Sequence, residues 1–113
     1  MKIYIICPVR NGTPADVEKY VLELENLGNV VHFPPRDAPQ MDGSGMFICL
    51  THLGAMKCSD EVHVFWDVNS KGSHFDLGMA FALDKKIRLV HEYQPDGAEK
   101  SYVKVMKIWE KES

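Results

Sequence analysis

Residues 70–80 combine small, hydroxyl-bearing and acidic side chains at a spacing that suits ligand binding. They follow residues 62–66, an apolar run typical of a strand, and they lead into residues 77–83, which have the character of a helix. Parallel α/β sheets bind ligands outside the carboxyl ends of their strands, and a helix N-terminus attracts anions. Because Asp76 is expected just inside the first helical turn, the segment predicts a small-molecule site for a sugar or a phosphate.

Asp76 is the one acidic side chain of this segment. A carboxylate is able to attack the anomeric carbon of a sugar and so divide glycosyl transfer into two steps through a covalent intermediate. The alternative is a charge that stabilises a helix N-terminus by about 0.3–1 kcal/mol. The residue taken alone favours this second interpretation.

Histidines are the candidate proton carriers of the chain. His52 lies beside the apolar face of a predicted helix, where most histidines are structural, and His74 is equally compatible with a solvated loop. The other histidines have no partners at the spacing of metal ligands, so the sequence predicts no metal site. They are His32, His63 and His91.

Two polar loops follow the first and third predicted strands, at residues 7–12 and 67–73. If those strands are neighbours, the loops face each other and are able to hold an anion through charge-assisted hydrogen bonds. The alternative is ordinary turn chemistry, since Asn-Gly and Ser-Lys-Gly-Ser are common in turns. Each loop alone favours the turn, whereas the pair on one sheet edge favours a site.

Hydrophobic periodicity predicts four strands that alternate with four helices. The strands are expected at residues 2–7, 29–33, 61–66 and 87–91. The helices are expected at residues 14–27, 46–59, 77–84 and 102–109. Thr13 is predicted to cap the first helix, with Pro14 at its first position and Gly28 at its end. The prolines of residues 34–45 predict an irregular loop, and residues 94–97 predict a turn. The alternation predicts an α/β fold in one domain, residues 1–113, with a parallel sheet covered by helices on both faces.

The composition is that of an ordinary globular protein of 113 residues, 45% hydrophobic, with a formal net charge of -3. This charge argues against a nucleic-acid partner but not against one phosphorylated metabolite. Three cysteines without a CxxC pair predict reduced thiols in the core: Cys7, Cys49 and Cys58. The absence of a signal-peptide pattern and of a membrane-length apolar run predicts a cytoplasmic protein. Parallel sheets are usually covered on both faces, and a small domain has few helices to cover its sheet. A second copy of the chain is therefore expected to cover part of the surface, which predicts a homodimer.

The motif Ser70-x-Gly72-x-x-x-Asp76-Leu77-Gly78-x-Ala80 resembles the S-x-G-x-x-x-E-L-G-x-A signature of the nucleoside 2-deoxyribosyltransferase family. Within that family, the chain is most similar to the 2'-deoxynucleoside 5'-phosphate N-hydrolases. Residues 4–12 resemble their first strand and Y-F-x-G-S-x-R-G-G loop, residues 59–65 resemble their A-D-V-V-V-A strand entry, and residues 85–89 are similar to their N-K-R-I-L strand. The resemblance therefore covers essentially the whole chain in the right order.

This resemblance implies a flavodoxin-like three-layer α/β/α sandwich with a small, four- to five-stranded parallel sheet. It implies cleavage of the N-glycosidic bond of a nucleoside or nucleoside 5'-monophosphate by a carboxylate that attacks C1', with water or a second base as acceptor. It implies no metal and no organic cofactor. It also implies a homo-oligomer, a dimer by our expectation, in which the neighbouring subunit often completes the pocket.

Carried over position by position, the resemblance makes Asp76 the nucleophile and Tyr4 the residue that orients the sugar. In the family, an aspartate on the second helix orients or protonates the base. Its position falls on His52, which is able to act as an acid toward the leaving base. The signature glutamate is an aspartate here, which draws the carboxylate back by roughly an ångström, and a shift of this size is able to lower the rate about a hundredfold. The predicted substrate-binding residues of the two loops are Cys7, Pro8, Arg10, Asn11, Gly12, Asp67, Ser70, Gly72 and Ser73.

Three departures from the family's pattern leave alternatives open. Besides the replacements at Asp76 and His52, Cys7 and Pro8 stand where the hydrolases have Gly-Ser, which removes a hydroxyl and an N–H from the phosphate cradle. The main alternative to an enzyme is a nucleotide-binding module that keeps the fold without the chemistry. A structural protein with a vestigial pocket is a third hypothesis, and the joint presence of Arg10, Ser70, Gly72 and Asp76 argues against it.

Overall fold

The computed structural model describes residues 1–9, 14–38, 43–94 and 100–113. Three predicted substrate-binding residues, Arg10, Asn11 and Gly12, lie outside the described residues, as does the predicted cap Thr13. Most of the predicted turn at residues 94–97 also lies outside them.

In the part of the chain that the structure describes, four parallel strands form one sheet in the order β2-β1-β3-β4. They are β1 (Lys2–Ile6), β2 (Val30–His32), β3 (Glu61–Val64) and β4 (Lys86–Leu89). All four predicted strands are confirmed, with ends that differ by one or two residues, which is the usual uncertainty of such boundaries. The hydrophobic runs identified the strands because a sheet covered on both faces needs apolar side chains at nearly every position.

Within the described residues, five helices accompany the sheet. They are α1 (Ala15–Asn26), α2 (Pro34–Asp37), α3 (Met46–Lys57), α4 (Lys71–Ala82) and α5 (Tyr102–Glu112). None of the helices in the described ranges is long and apolar enough to cross a membrane.

Two hydrophobic cores lie on opposite faces of the sheet. Successive strand residues point to opposite faces, so Ile5 packs with Val17 and Val21 of α1 on one face. On the other face, the alternate strand residues pack with Met56 of α3, Leu77 of α4 and Met106 of α5, among others. The predicted α/β fold, a flavodoxin-like three-layer sandwich with a four-stranded parallel sheet, is thereby confirmed.

The chain reverses its direction across the sheet between β1 and β3. The first crossover leads from β1 to β2 through α1, and the crossover through α4 leads the other way, from β3 to β4. Since parallel crossovers are right-handed, opposite directions place α1 and α4 on opposite faces. The two polar loops therefore leave the carboxyl ends of neighbouring strands, which confirms the premise on which their pairing was predicted.

The prediction of an irregular loop after β2 is wrong at its beginning, where α2 forms one helical turn. Proline is tolerated in the first turn of a helix, because the N–H groups there have no intrahelical partner. The Asp37 carboxylate accepts a hydrogen bond from the Phe33 N–H at 2.8 Å, and the Arg36 guanidinium pairs with Glu25 of α1 at 3.0 Å. The first contact closes the turn of α2 itself, and the second joins the short helix to α1.

The predicted start of α4 is also wrong, by six residues. The helix begins at Lys71 with Ser70 as its N-cap, so Asp76 lies in the second turn rather than the first. Gly72 and Ser73 are poor helix formers, which hid this start in the sequence. The Ser70 hydroxyl oxygen accepts a hydrogen bond from the Ser73 N–H and so satisfies an N-terminal donor.

Smaller differences concern the first helix and the cysteines. Pro14 occupies the N-cap position of α1 instead of its first helical position, and Gly28 follows the helix with a φ of 95°, as its predicted stopping role requires. All three cysteines are free thiols, but only Cys7 is fully buried. Cys58 is exposed at the end of α3, so its predicted place in the core is wrong.

Candidate active site

A tyrosine and a carboxylate meet between the sheet and α4. Tyr4 lies on the central strand β1, and its hydroxyl donates a hydrogen bond of 2.8 Å to Oδ2 of Asp76. Tyr4 is 0% exposed and Asp76 is 6% exposed. Burial, and next the nearby Asp76 carboxylate, raise the pKa of Tyr4 well above its ordinary value. The hydroxyl therefore keeps its proton and remains a donor to the carboxylate.

His52 of α3 contacts the other oxygen of the same carboxylate. Its Nδ1 lies 3.2 Å from Oδ1 of Asp76. Because an ionised carboxylate only accepts hydrogen bonds, Nδ1 carries the hydrogen in this contact. The second ring nitrogen, Nε2, is buried and has no hydrogen-bond partner in the described part of the chain. The structure thus brings together Tyr4, His52 and Asp76, the three residues that the sequence analysis assigned to catalysis.

His32 belongs to the same cluster, and the sequence analysis missed this placement. The register of β1 and β2 pairs Tyr4 with His32. The two rings stack with centroids 5.2 Å apart and planes inclined by 18°. Burial lowers the pKa of His32, so the imidazole is neutral at neutral pH. The placement follows from the register of the two strands, which cannot be read from the sequence alone.

The serines of the predicted phosphate loop bond to each other at the start of α4. The Ser70 hydroxyl donates to the Ser73 Oγ at 2.8 Å and accepts from the Ser73 N–H at 3.2 Å. Ser73 is 1% exposed, whereas Gly72 is exposed in the first turn. The first turn of α4 is therefore open at Gly72, while the two serine hydroxyls stabilise the helix start.

A cavity of about 530 Å³ lies at the carboxyl ends of β1, β3 and β4. Pro8 from the first loop and Asp67 from the second both line it. The Asp67 carboxylate accepts a hydrogen bond from the Asn69 N–H at 2.9 Å, which fixes the turn before α4. Burial, and next Asp76, raise the pKa of Cys7 to about 12, so this residue is a neutral thiol beside the cluster.

The remaining histidines lie away from the Tyr4–Asp76 contact. His74 bonds through Nδ1 to the Ser70 carbonyl oxygen at 2.7 Å and packs against Trp66, which makes it part of the helix cap rather than a solvated loop residue. His91 pairs with Asp16 at 2.8 Å on the surface. Among the described residues, no group of three or more histidine, cysteine or acidic side chains is arranged to hold a metal ion.

Comparisons with known proteins give structural likeness without a sequence match. No protein-family model matches the chain, and no curated protein matches it either. A 2-deoxyribosyltransferase from the psychrotolerant bacterium Bacillus psychrosaccharolyticus superimposes with a TM-score of 0.65 at 23% identity, over 77% of this chain and 69% of that chain. A CMP N-glycosidase from Clostridium botulinum superimposes with a TM-score of 0.54 at 22% identity, over 77% of this chain and 66% of that one. At this level of identity, the likeness establishes the shared fold.

Proposed function

We propose that the protein cleaves the N-glycosidic bond of a nucleoside or nucleoside 5'-monophosphate, by hydrolysis or by transfer, with Asp76 as the nucleophile. The observation that carries the proposal is the Asp76 carboxylate held by the Tyr4 hydroxyl on one oxygen and by His52 on the other. The resemblance of residues 70–80 to a deoxyribosyltransferase signature supports it. So does the fold shared with an enzyme of that activity and with a CMP N-glycosidase.

The first chemical step forms a bond from an Asp76 oxygen to C1' of the sugar as the bond from C1' to the base nitrogen breaks. The bond electrons leave with the base, so the base needs a proton. Protonated His52 supplies it from Nε2, the ring nitrogen that faces away from Asp76. The Tyr4 hydroxyl holds the carboxylate in place throughout, and such positioning is a large part of catalytic power.

In the second step, water or another base attacks C1' as the bond from C1' to the Asp76 oxygen breaks. His52, neutral after the first step, takes the proton that the attacking water or base nitrogen loses, which restores the starting state. For a 5'-monophosphate, the open first turn of α4 at Gly72 offers N–H groups to the phosphate. Ser70 and Ser73 hold that turn in shape. Arg10, Asn11 and Gly12 stay predicted members of the cradle from the resemblance alone.

We also propose that two copies of the chain associate through α3 and the adjoining face of α4. Of the twelve residues of α3, only Met56 is buried, and Lys57 is its one lysine, arginine or acidic residue. Met46 and Leu50 of α3 and Phe75 of α4 are 62%, 52% and 56% exposed. A helix that is apolar on all sides needs cover on its outer face. The same two helices carry His52 and Asp76, so the partner would lie beside the active site.

The test is base release from a panel of nucleosides and 5'-monophosphates, ribo and deoxy, measured by chromatography with and without an acceptor base. Asp76→Asn keeps the shape of the side chain and removes the nucleophile, so release is expected to fall by about a thousandfold or more. Asp84→Asn is the matched control: Asp84 is exposed at the far end of α4 with a φ of 54°, which asparagine also tolerates. The control is expected to retain full activity.

Two other outcomes would contradict the proposal. Release that persists in Asp76→Asn would exclude Asp76 as the nucleophile. Nucleotides that raise the melting temperature of the wild type without any base release would favour the non-catalytic binding module instead.

A further inference from the structure

Two buried ring nitrogens in the described part of the chain have no hydrogen-bond partner, and both belong to one cluster. They are Nε2 of His32 and Nε2 of His52. A buried polar atom without a partner lowers stability by about 1–3 kcal/mol. Such an atom in a native protein calls for an explanation, and a catalytic role or a bound molecule that supplies the missing partner is one. Because both nitrogens lie in one cluster, a single polar ligand would satisfy both of them.

The geometry allows one ligand to reach both nitrogens. The ring centroids of His32 and His52 lie 6.4 Å apart, and the planes are inclined by 74°. Both rings contact Tyr4, at 5.2 Å and 6.0 Å between centroids. His52 is fixed through Nδ1 to Asp76. A molecule that places its reacting carbon at Asp76 therefore has two imidazoles next to the group attached to that carbon.

We propose that His32 is a base-binding residue, whose Nε2 acts with His52 Nε2 to bind two polar atoms of the nucleobase. The identity of the ligand rests on the proposed function, which places the anomeric carbon at Asp76 and the base one bond away. A nucleobase carries ring nitrogens and exocyclic groups close together on a flat ring, so it offers two polar atoms to two neighbouring imidazoles. Deoxyribose offers few polar groups near C1', which makes it the poorer match.

A matched pair of variants separates this role from simple packing against Tyr4. His32→Phe keeps an aromatic ring on Tyr4 but removes Nε2. His32→Gln removes the ring but keeps a polar group near the position of Nε2. If His32 only supports Tyr4, the phenylalanine is the milder change for activity. If its nitrogen binds the base, the glutamine is the milder change.

The free protein gives a second, independent signature. His32→Phe removes a buried nitrogen that has no partner, so the melting temperature of the unliganded variant is expected to rise above that of the wild type. The same variant is expected to bind bases more weakly. A gain in stability together with a loss of binding is typical of a residue kept for a ligand.

The experiment is calorimetric titration of the wild type and both variants with adenine, guanine, hypoxanthine, cytosine, uracil and deoxyribose 5-phosphate. For the base that the wild type binds best, His32→Phe is expected to raise the Kd about tenfold or more, which corresponds to about 1.4 kcal/mol. His32→Gln is expected to raise it less. Binding of deoxyribose 5-phosphate is expected to change by less than about twofold in either variant, since the sugar side is untouched.

Three results would overturn the inference. They are equal base binding by His32→Phe and the wild type, an equal loss of deoxyribose 5-phosphate binding, and no base binding by the wild type. The enzymatic assay keeps this test distinct from that of the proposed function. Base binding that depends on His32 without any turnover would reject the enzyme and keep the inference. Turnover by His32→Phe with an unchanged KM would keep the proposed enzyme and reject base binding by His32.

Discussion

The two faces of the sheet carry similar sets of side chains but pair them differently. On the α1 face, the Tyr20 hydroxyl lies 2.7 Å from Nδ1 of His63, and Nε2 of His63 lies 2.9 Å from Glu61. The carboxylate accepts from Nε2, so Nδ1 accepts from the tyrosine, and the buried imidazole uses both nitrogens. On the α4 face, Tyr4 and His52 both donate to Asp76, and each of two histidines keeps one open nitrogen.

The outer surfaces of α1 and α3 also differ, since one is charged and the other is apolar. The exposed side of α1 carries charged residues, among them Glu18, Lys19 and Glu23, whereas α3 exposes apolar side chains. On the α1 face, the buried polar groups are hydrogen-bonded within the single chain and the outer surface is charged. On the α4 face, two buried nitrogens have no partner among the described residues and the outer surface is apolar. We interpret the unpaired nitrogens as contacts for a substrate and the apolar surface as a contact for a second subunit.

The largest expected difference between the faces is in catalysis. Tyr4→Phe removes one of the two donors that hold Asp76, so kcat/KM is expected to fall about a hundredfold, as for the loss of one positioned donor in other active sites. Tyr20→Phe removes the matching hydroxyl of the other face and is expected to leave kcat/KM within about twofold of the wild type.

The Tyr20→Phe variant is expected to lose stability instead. It leaves His63 Nδ1 unpaired and is expected to lower the free energy of unfolding by about 1–2 kcal/mol. Steady-state kinetics and urea unfolding measure the two effects, and similar kinetic losses in both variants would remove the distinction.

A smaller effect is expected for association. Leu50→Lys places a charge on the exposed side of α3, whereas Leu22→Lys does the same on α1, where the side chain is similarly exposed at 58%. A lysine buried in an apolar interface is unfavourable, so Leu50→Lys is expected to raise the dimer dissociation constant about tenfold or more. Leu22→Lys is expected to leave it unchanged. Sedimentation analysis measures both, and a wild type that sediments as a monomer at all concentrations would refute the proposed dimer.

The smallest expected effect concerns pH and stability. Burial lowers the pKa values of His63 and His32, so both stay neutral in the folded state over a range where the unfolded chain, with histidine near pH 6.5, takes up protons. Protons bound only by the unfolded chain favour unfolding, so stability is complete above about pH 6.5 and declines as the pH falls below it. Glu61 faces His63 and partly opposes this effect, while Arg88 reinforces it.

Urea unfolding between pH 7.5 and 5.5 measures this decline. The free energy of unfolding is expected to fall over that range in the wild type and to fall less in His32→Phe, which lacks one of the two groups. A free energy that stays constant or rises toward pH 5.5 would contradict the assignment of buried, neutral imidazoles.

The sequence predicted the fold well because its signals are local. Each strand is a short apolar run and most helices have an apolar face, so alternation alone indicated the parallel sheet. The failures occurred where neighbouring residues mislead. Pro34 and Pro35 suggested a loop although proline fits the first turn of a helix, and Gly72 hid the start of α4, which the Ser70 cap stabilises.

The candidate site was predictable only in part. Asp76, Tyr4 and His52 were assigned from a motif resemblance, and the structure brings them together. His32 and His63 were considered only as metal ligands and set aside. Their surroundings depend on the register of β1 with β2 and on the packing of α1 against β3, which are contacts between residues 28 and 43 positions apart. No local pattern encodes such contacts.

The central place of β1 in the sheet has a consequence for how the protein is made. β1 leaves the ribosome before its neighbour on one side, β3, which begins 55 residues after β1 ends, at Glu61. Until then, one edge of the apolar segment Lys2–Ile6 stays unpaired, and such an edge is a template for aggregation. The delay is longer for the site, which gathers side chains from β1, β2, α3 and α4, because α4 begins only at Lys71. The nascent chain therefore depends on rapid completion, or on a chaperone, until β3 and α4 have been synthesised.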